Sequence, residues 1–140
     1  MIRTVNVGSE TPTLLIADDD TGTRELYADV LAPLRCEIDQ AADGAEALAK
    51  LGERRYSAII LDLHLPSVDG LGVLDAIQQG ATPNRDSPFI VVTGDASIRA
   101  RVEVLRRKTV FLFNKPVDSE ALLGAVRQAI SRAPTPPSSP

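Results

Sequence analysis

Apolar residues collect in five short runs: Thr13 to Ala17, Cys36 to Ala42, Ala58 to Leu63, Phe89 to Thr93 and Val110 to Phe113. Four of them (TLLIA, AIILDL, FIVVT and VFLF) are nearly continuous and rich in β-branched or aromatic residues. That pattern suits strands buried on both faces of a parallel sheet. The run at Cys36 (CEIDQAAD) carries charges and belongs at a sheet edge. The segments between the runs have helical spacing. Leu26, Tyr27, Val30, Leu31 and Leu34 share one face of a helix over 21–34. Asp43 and Glu46 resemble a capping box opening a second helix through Ala47, Leu48 and Leu51. Leu71, Val73, Leu74 and Ile77 mark a third helix, and Ile98, Val102 and Leu105 a fourth. Leu122, Leu123, Val126 and Ile130 mark a fifth, capped by Asp118. Five alternations of strand and helix predict an open, doubly wound α/β fold.

Composition narrows the class without changing that picture. A chain of 140 residues holds one domain, and 44% apolar with 24% charged residues is ordinary for a globular chain. The net charge of −4 argues against gripping a nucleic-acid backbone, so no direct DNA binding is expected. Cys36, the single cysteine, forms no internal disulfide and fits a reducing compartment. The first dozen residues lack the apolar stretch of a signal peptide, and no run approaches the ~18 apolar residues of a membrane span. A cytoplasmic location with no membrane attachment is the expectation. The proline-rich end APTPPSSP reads as a flexible tail.

Ligands of open α/β sheets bind beyond the carboxyl ends of the strands. Asp18, Asp19 and Asp20 follow the first run, Asp62 ends the third, Thr93 ends the fourth, and Lys115 lies just past the fifth. Carboxylates gathered at one edge repel each other unless a cation joins them, and Mg²⁺ prefers such oxygen ligands. A metal and a lysine together can neutralise a transferring phosphoryl group, a carboxylate can be its acceptor, and the Thr93 hydroxyl can hydrogen-bond a phosphoryl oxygen. Any one of these aspartates could simply cap the following helix, as Asp20 or Thr21 is expected to do. Five such side chains at four strand ends are a stronger signal.

From Thr13 to Ser131 the chain resembles the receiver domain of bacterial two-component response regulators, through LLIADDDTGTREL, AIILDLHLPSVDGLGVL, FIVVTGDAS and FLFNKPVDSEAL. The resemblance implies a flavodoxin-like five-stranded parallel sheet of order 2-1-3-4-5 with five helices, spanning 13–131 between flexible termini at 1–12 and 132–140. It implies that Asp62 is the phosphoacceptor. Asp18 and Asp19 would hold Mg²⁺ together with Asp62 and the backbone carbonyl of His64, whose side chain has no assigned role. Thr93 would be the switch hydroxyl, Lys115 would pair with a phosphoryl oxygen, and the Lys115–Pro116 bond would be cis. Pro66 and Gly70 would shape the intervening loop, proline fixing φ and glycine supplying a permissive one.

The implied partners are a histidine kinase or histidine phosphotransfer protein as donor and a downstream protein target. A homodimer through the face of the fourth helix, fifth strand and fifth helix is a further possibility of the family. The chain itself is expected to be a phosphoacceptor rather than an enzyme: a stand-alone regulator, a relay intermediate or a domain of a longer protein. It departs from many members at Leu112, where an aromatic residue is usual, and at Lys108 and Thr109, where Gly-Ala is usual. Both departures fall on the face through which many receivers signal. Basic residues Arg99, Arg101, Arg106, Arg107 and Lys108 on the fourth helix read as a solvated face suited to the helix dipole, or as a docking face for an acidic partner. Two alternatives stay open. The run Asp19 to Thr23 is similar to the first motif of haloacid-dehalogenase-type phosphohydrolases, with Asp19 as nucleophile. A phosphorylation-independent interaction module on the same fold is the other.

Overall fold

The computed structural model describes residues 11–108 and 111–131. Strands β1 (Thr13–Ala17), β2 (Glu37–Ala41), β3 (Ala58–Leu61), β4 (Phe89–Thr93) and β5 (Phe111–Asn114) form one sheet of order β2-β1-β3-β4-β5. Every pairing is parallel. The helices are α1 (Thr21–Leu31), α2 (Gly44–Glu53), α3 (Gly70–Gln79), α4 (Ile98–Leu105) and α5 (Ser119–Ser131). Thr109, Val110 and the expected flexible ends, apart from Thr11 and Pro12, lie outside the described residues.

Side chains alternate across each strand and sort the core into two layers. Leu14, Ile16, Ile60, Ile90 and Val92 pack with Tyr27 and Leu31 of α1 and Leu122 and Val126 of α5. Leu15, Ile59, Leu61, Phe89 and Val91 pack with Leu51 of α2, Val73 and Leu74 of α3 and Val104 of α4. Burial on both faces explains why β1, β3 and β4 read as continuous apolar runs. Helix caps fall where the sequence put them. The Asp43 carboxylate accepts from Glu46 N–H (2.8 Å) and Asp118 from Ala121 N–H (2.9 Å). Glu46 reaches back to Ala42 N–H (2.8 Å), one residue before the cap itself.

Three expectations need correction. The helix over 21–34 is α-helical only to Leu31 and tightens into a 3₁₀ turn at Ala32–Leu34, because Pro33 has no N–H to continue the ladder. β5 is an edge strand, half-buried along its length, not a strand enclosed on both faces. Phe111 and Phe113 stack on one face (5.9 Å between centroids) toward the α1 and α5 layer, while Leu112 packs on the opposite layer. The apolar marks of α4 do not face the core: Ile98 is 80% exposed, and Val102 and Leu105 are exposed too. Val104 and Ala100 seat this helix instead. Arg107 fixes that seating with two hydrogen bonds to the Asp75 carboxylate on α3 (2.8 and 3.0 Å) and two to Glu103, one to its carbonyl (2.5 Å) and one to its carboxylate (3.2 Å). One of the five basic residues of this region is therefore spent inside the fold.

Candidate functional site

Parallel strands bring their carboxyl ends to one edge, so Asp18, Asp62, Thr93 and Lys115 emerge side by side from β1, β3, β4 and β5. Ladder hydrogen bonds run right up to them: Asp18 N–H donates to Ala41 O (3.1 Å), Asp62 N–H to Ala17 O (3.0 Å) and Lys115 N–H to Thr93 O (2.8 Å). The Asp18 and Asp62 residues are 2% and 6% exposed, and Thr93 is 1% exposed. Asp19 is exposed at the rim. One carboxylate oxygen each from Asp18, Asp19 and Asp62 lies within 4.8 Å of the other two.

Lys115 holds the two buried acids together. Its Nζ donates to Asp18 Oδ2 at 2.7 Å and to Asp62 Oδ2 at 2.9 Å. Burial pushes the ammonium toward a lower pKa, but the hydrogen bonds to both carboxylates outweigh it and raise the pKa above the ordinary lysine value. The second oxygen of each acid is fixed by backbone: Asp20 N–H donates to Asp18 Oδ1 (2.9 Å) and His64 N–H to Asp62 Oδ1 (3.1 Å). Thr93 Oγ1 accepts from Asp95 N–H (3.2 Å), which leaves its own proton available to an oxygen in the pocket.

Other expected residues divide. Asp20, not Thr21, caps α1, accepting from Thr23 N–H (2.7 Å) and Thr23 Oγ1 (2.8 Å). Those hydrogen bonds lower its pKa and take it out of the acidic cluster. The exposed His64 imidazole approaches Asp95, with Nε2 3.6 Å from Oδ2. Asp95 is held below the usual carboxylate pKa chiefly by hydrogen bonding from Ser97, with the nearby His64 imidazole a lesser electrostatic cause. The Lys115–Pro116 bond is cis. In the loop after Asp62 the permissive φ belongs to Ser67 (φ 67°), and no described glycine has a positive φ, contrary to the expectation for Gly70. Gly70 is needed for space: a Cβ there would meet Leu63 Cα at 2.6 Å and collide with the Asp62 carbonyl. Its N–H donates to Leu63 O (2.8 Å), drawing the start of α3 under the acid.

Sequence reading missed Arg24 and Asn114. Arg24 donates to the Asp18 carbonyl (2.6 Å), and Asn114 Nδ2 donates to the Asp95 carbonyl (3.2 Å). The signal for Arg24 was a cation in the first turn of a helix, where the dipole disfavours one.

An open parallel sheet of this order, with buried carboxylates and a lysine at its carboxyl edge, defines a CheY-like signalling domain. The family model for the response regulator receiver domain matches residues 14–127, and the chain belongs to that family. It is 30% identical over 118 residues to the regulatory protein LuxO of Vibrio cholerae, covering 84% of this chain and 25% of LuxO. It is 31% identical over 135 residues to the transcriptional regulatory protein PrrA of Mycobacterium leprae, covering 91% of this chain and 54% of PrrA. A CheY-like receiver domain from Methanospirillum hungatei superposes with a TM-score of 0.81 at 26% identity, covering 89% of this chain and 97% of that one. The chain thus spans a quarter to about half of the curated relatives it matches. Family membership displaces the haloacid-dehalogenase reading of Asp19. Among the described residues no helix is long and apolar enough to cross a membrane.

Proposed function

We propose that the chain accepts a phosphoryl group on Asp62, delivered by a histidine kinase or histidine phosphotransfer protein, and passes the change to a downstream protein. The observation that carries this reading is the Lys115 ammonium shared between the buried Asp18 and Asp62 carboxylates, with the Asp19 carboxylate beside them at the rim. Three carboxylates face one ammonium, so the cluster retains negative charge for a further cation. One oxygen from each of the three acids lies within 4.8 Å of the other two, a grouping of hard oxygen ligands of the kind Mg²⁺ prefers. Asp18, Asp19 and Asp62, with the His64 carbonyl, would hold it, and it would supply neutralisation of the phosphoryl oxygens.

In this reading an Asp62 oxygen forms the new P–O bond as the donor's P–N bond breaks, and the proton economy of the donor imidazole stays with the donor. Lys115, already in the pocket, pairs with a phosphoryl oxygen, and the Thr93 hydroxyl donates to another. The acyl phosphate carries nearly two negative charges where the Asp62 carboxylate carried one, and the gain of about one charge and of three phosphoryl oxygens at this edge biases a two-state surface. The face of α4, β5 and α5 is the output and homodimer surface in this reading, the cytoplasm is its compartment, and the chain is a switch and not a turnover enzyme.

Intact mass after incubation with Mg²⁺ and acetyl phosphate tests it. One phosphoryl adduct is expected on the parent chain and none on Asp62→Asn. An adduct on both chains would place the acceptor elsewhere, and none on either would favour a phosphorylation-independent interaction module.

A further inference from the structure

The guanidinium of Arg24 makes three side-chain hydrogen bonds that join three elements. Nη1 donates to the Asp18 carbonyl at the end of β1 (2.6 Å), Nε to Gln40 Oε1 on the edge strand β2 (2.9 Å) and Nη2 to Thr21 Oγ1 at the start of α1 (3.1 Å). Its backbone N–H donates to Asp20 O (3.1 Å). The Asp18 carbonyl belongs to the peptide that links Asp18 to Asp19. Holding that peptide plane fixes the directions in which both side chains leave the backbone. Arg24 does so from the backbone side: it makes no hydrogen bond to the Asp18, Asp19 or Asp62 carboxylates.

We infer that Arg24 is the positioning residue of the divalent-cation site, orienting Asp18 and Asp19 by clamping the peptide between them to β2 and α1. This inference rests on the reading of Asp18, Asp19 and Asp62 as that site. Charge and position oppose one another here, which makes the role measurable. A positive charge near the site repels a divalent cation, so its removal alone would tighten binding. Loss of an orienting partner behind ligand residues weakens binding, by about tenfold or more. Lysine keeps the charge but lacks the planar fork that reaches three acceptors.

The test is Mg²⁺ titration by calorimetry on the full chain and on Arg24→Gln, Arg24→Lys, Gln40→Leu and Asp19→Asn, each first shown to be folded by circular dichroism. Amide hydrogen exchange at residues 18–20 is followed alongside. About tenfold weaker binding is expected for both Arg24 variants, a smaller loss for Gln40→Leu, and faster exchange at 18–20 in all three. Parent-like or tighter binding in Arg24→Gln, or full rescue by Arg24→Lys, overturns the inference while leaving the metal reading standing, provided Asp19→Asn loses affinity. A parent chain that binds no Mg²⁺, or an Asp19→Asn chain that binds as the parent does, overturns both.

Discussion

Lys115→Ala separates what the lysine does for the fold from what it does for chemistry. In the parent chain one ammonium is shared by two nearly buried carboxylates at 2.7 and 2.9 Å. Deleting one partner of a fully buried ion pair costs about 3–5 kcal/mol. Solvent reaches the Lys115 side chain, which is 28% exposed, and reduces the expected loss to about 2 kcal/mol. For a domain of this size that corresponds to a fall in Tm of about 6–10 °C. Mg²⁺ should return much of it, because a divalent cation replaces the missing charge and no ammonium competes for the same oxygens. Binding at 100-fold over Kd adds about 2.7 kcal/mol to either chain, so the comparison is made at subsaturating Mg²⁺, where tighter binding by the variant shows as a larger gain. Lys115 has a folded-state pKa above its unfolded value. Its contribution is therefore complete below the unfolded pKa of about 10.4 and is lost only as pH rises through the higher folded value. The gap between parent and variant should stay constant across neutral pH and close only in strong alkali. Scanning calorimetry with and without Mg²⁺, from pH 7 to pH 11, reads the constant gap and the onset of its narrowing. Equal melting of the two chains without metal, or a smaller Mg²⁺ gain in the variant, would refute the reasoning.

Gly44→Ala should cost about 2 kcal/mol or more in urea unfolding, since the new Cβ collides with the Val68 carbonyl and backbone cannot step aside as a side chain can; an unchanged midpoint would mean the α2 start is not packed that closely. Asp75→Asn should free the C-terminal end of α4, raising amide exchange across 98–105 while changing global stability by less than about 1 kcal/mol. Hydrogen bonds from Arg107 lower the Asp75 pKa, so this contribution is present above the unfolded value near 3.9 and disappears as pH falls through the lower folded one. Exchange that is already fast in the parent chain at pH 7 would show that Arg107 does not hold the helix. Phosphorylation of Lys115→Ala should leave an adduct on Asp62 but a muted change in the amide spectrum, and a full parent-like response would remove the lysine from the switch.

Strands were the most legible part of this chain, for a physical reason. β1, β3 and β4 are covered on both faces, and a strand in that position has no polar register to confuse its signal. The gathering of Asp18, Asp62, Thr93 and Lys115 was legible because a parallel sheet turns a one-dimensional rule, the residue following each apolar run, into a three-dimensional edge. Local caps at Asp43 and Asp118 were readable because the donor and acceptor are three residues apart in sequence. Contacts that join distant segments were not. Arg24 to Gln40, and Gly44 against Val68, depend on how a helix start meets a neighbouring loop, and no short window contains both partners.

α4 shows where periodicity misleads and why that matters for signalling. Ile98, Val102 and Leu105 share a helical face, and a pattern of that kind reads as core. The fold turns the face outward because Val104 and Ala100 fit the sheet and Arg107 ties the C-terminal turn to Asp75. A helix seated by one fully buried side chain and one ionic clamp sits at the low-stability end of the domain. It is also the helix that follows Thr93, so a shift of that hydroxyl would act first on the least anchored element beside it. Leu112 packs in the layer that contains Val104 and Ala100, and leucine carries no ring to swing between two positions. If the domain switches, the Arg107–Asp75 clamp is the contact that must change with α4. Its amide exchange in the phosphorylated parent chain should therefore resemble that of unphosphorylated Asp75→Asn; protection unchanged by phosphorylation would assign the switch to another element.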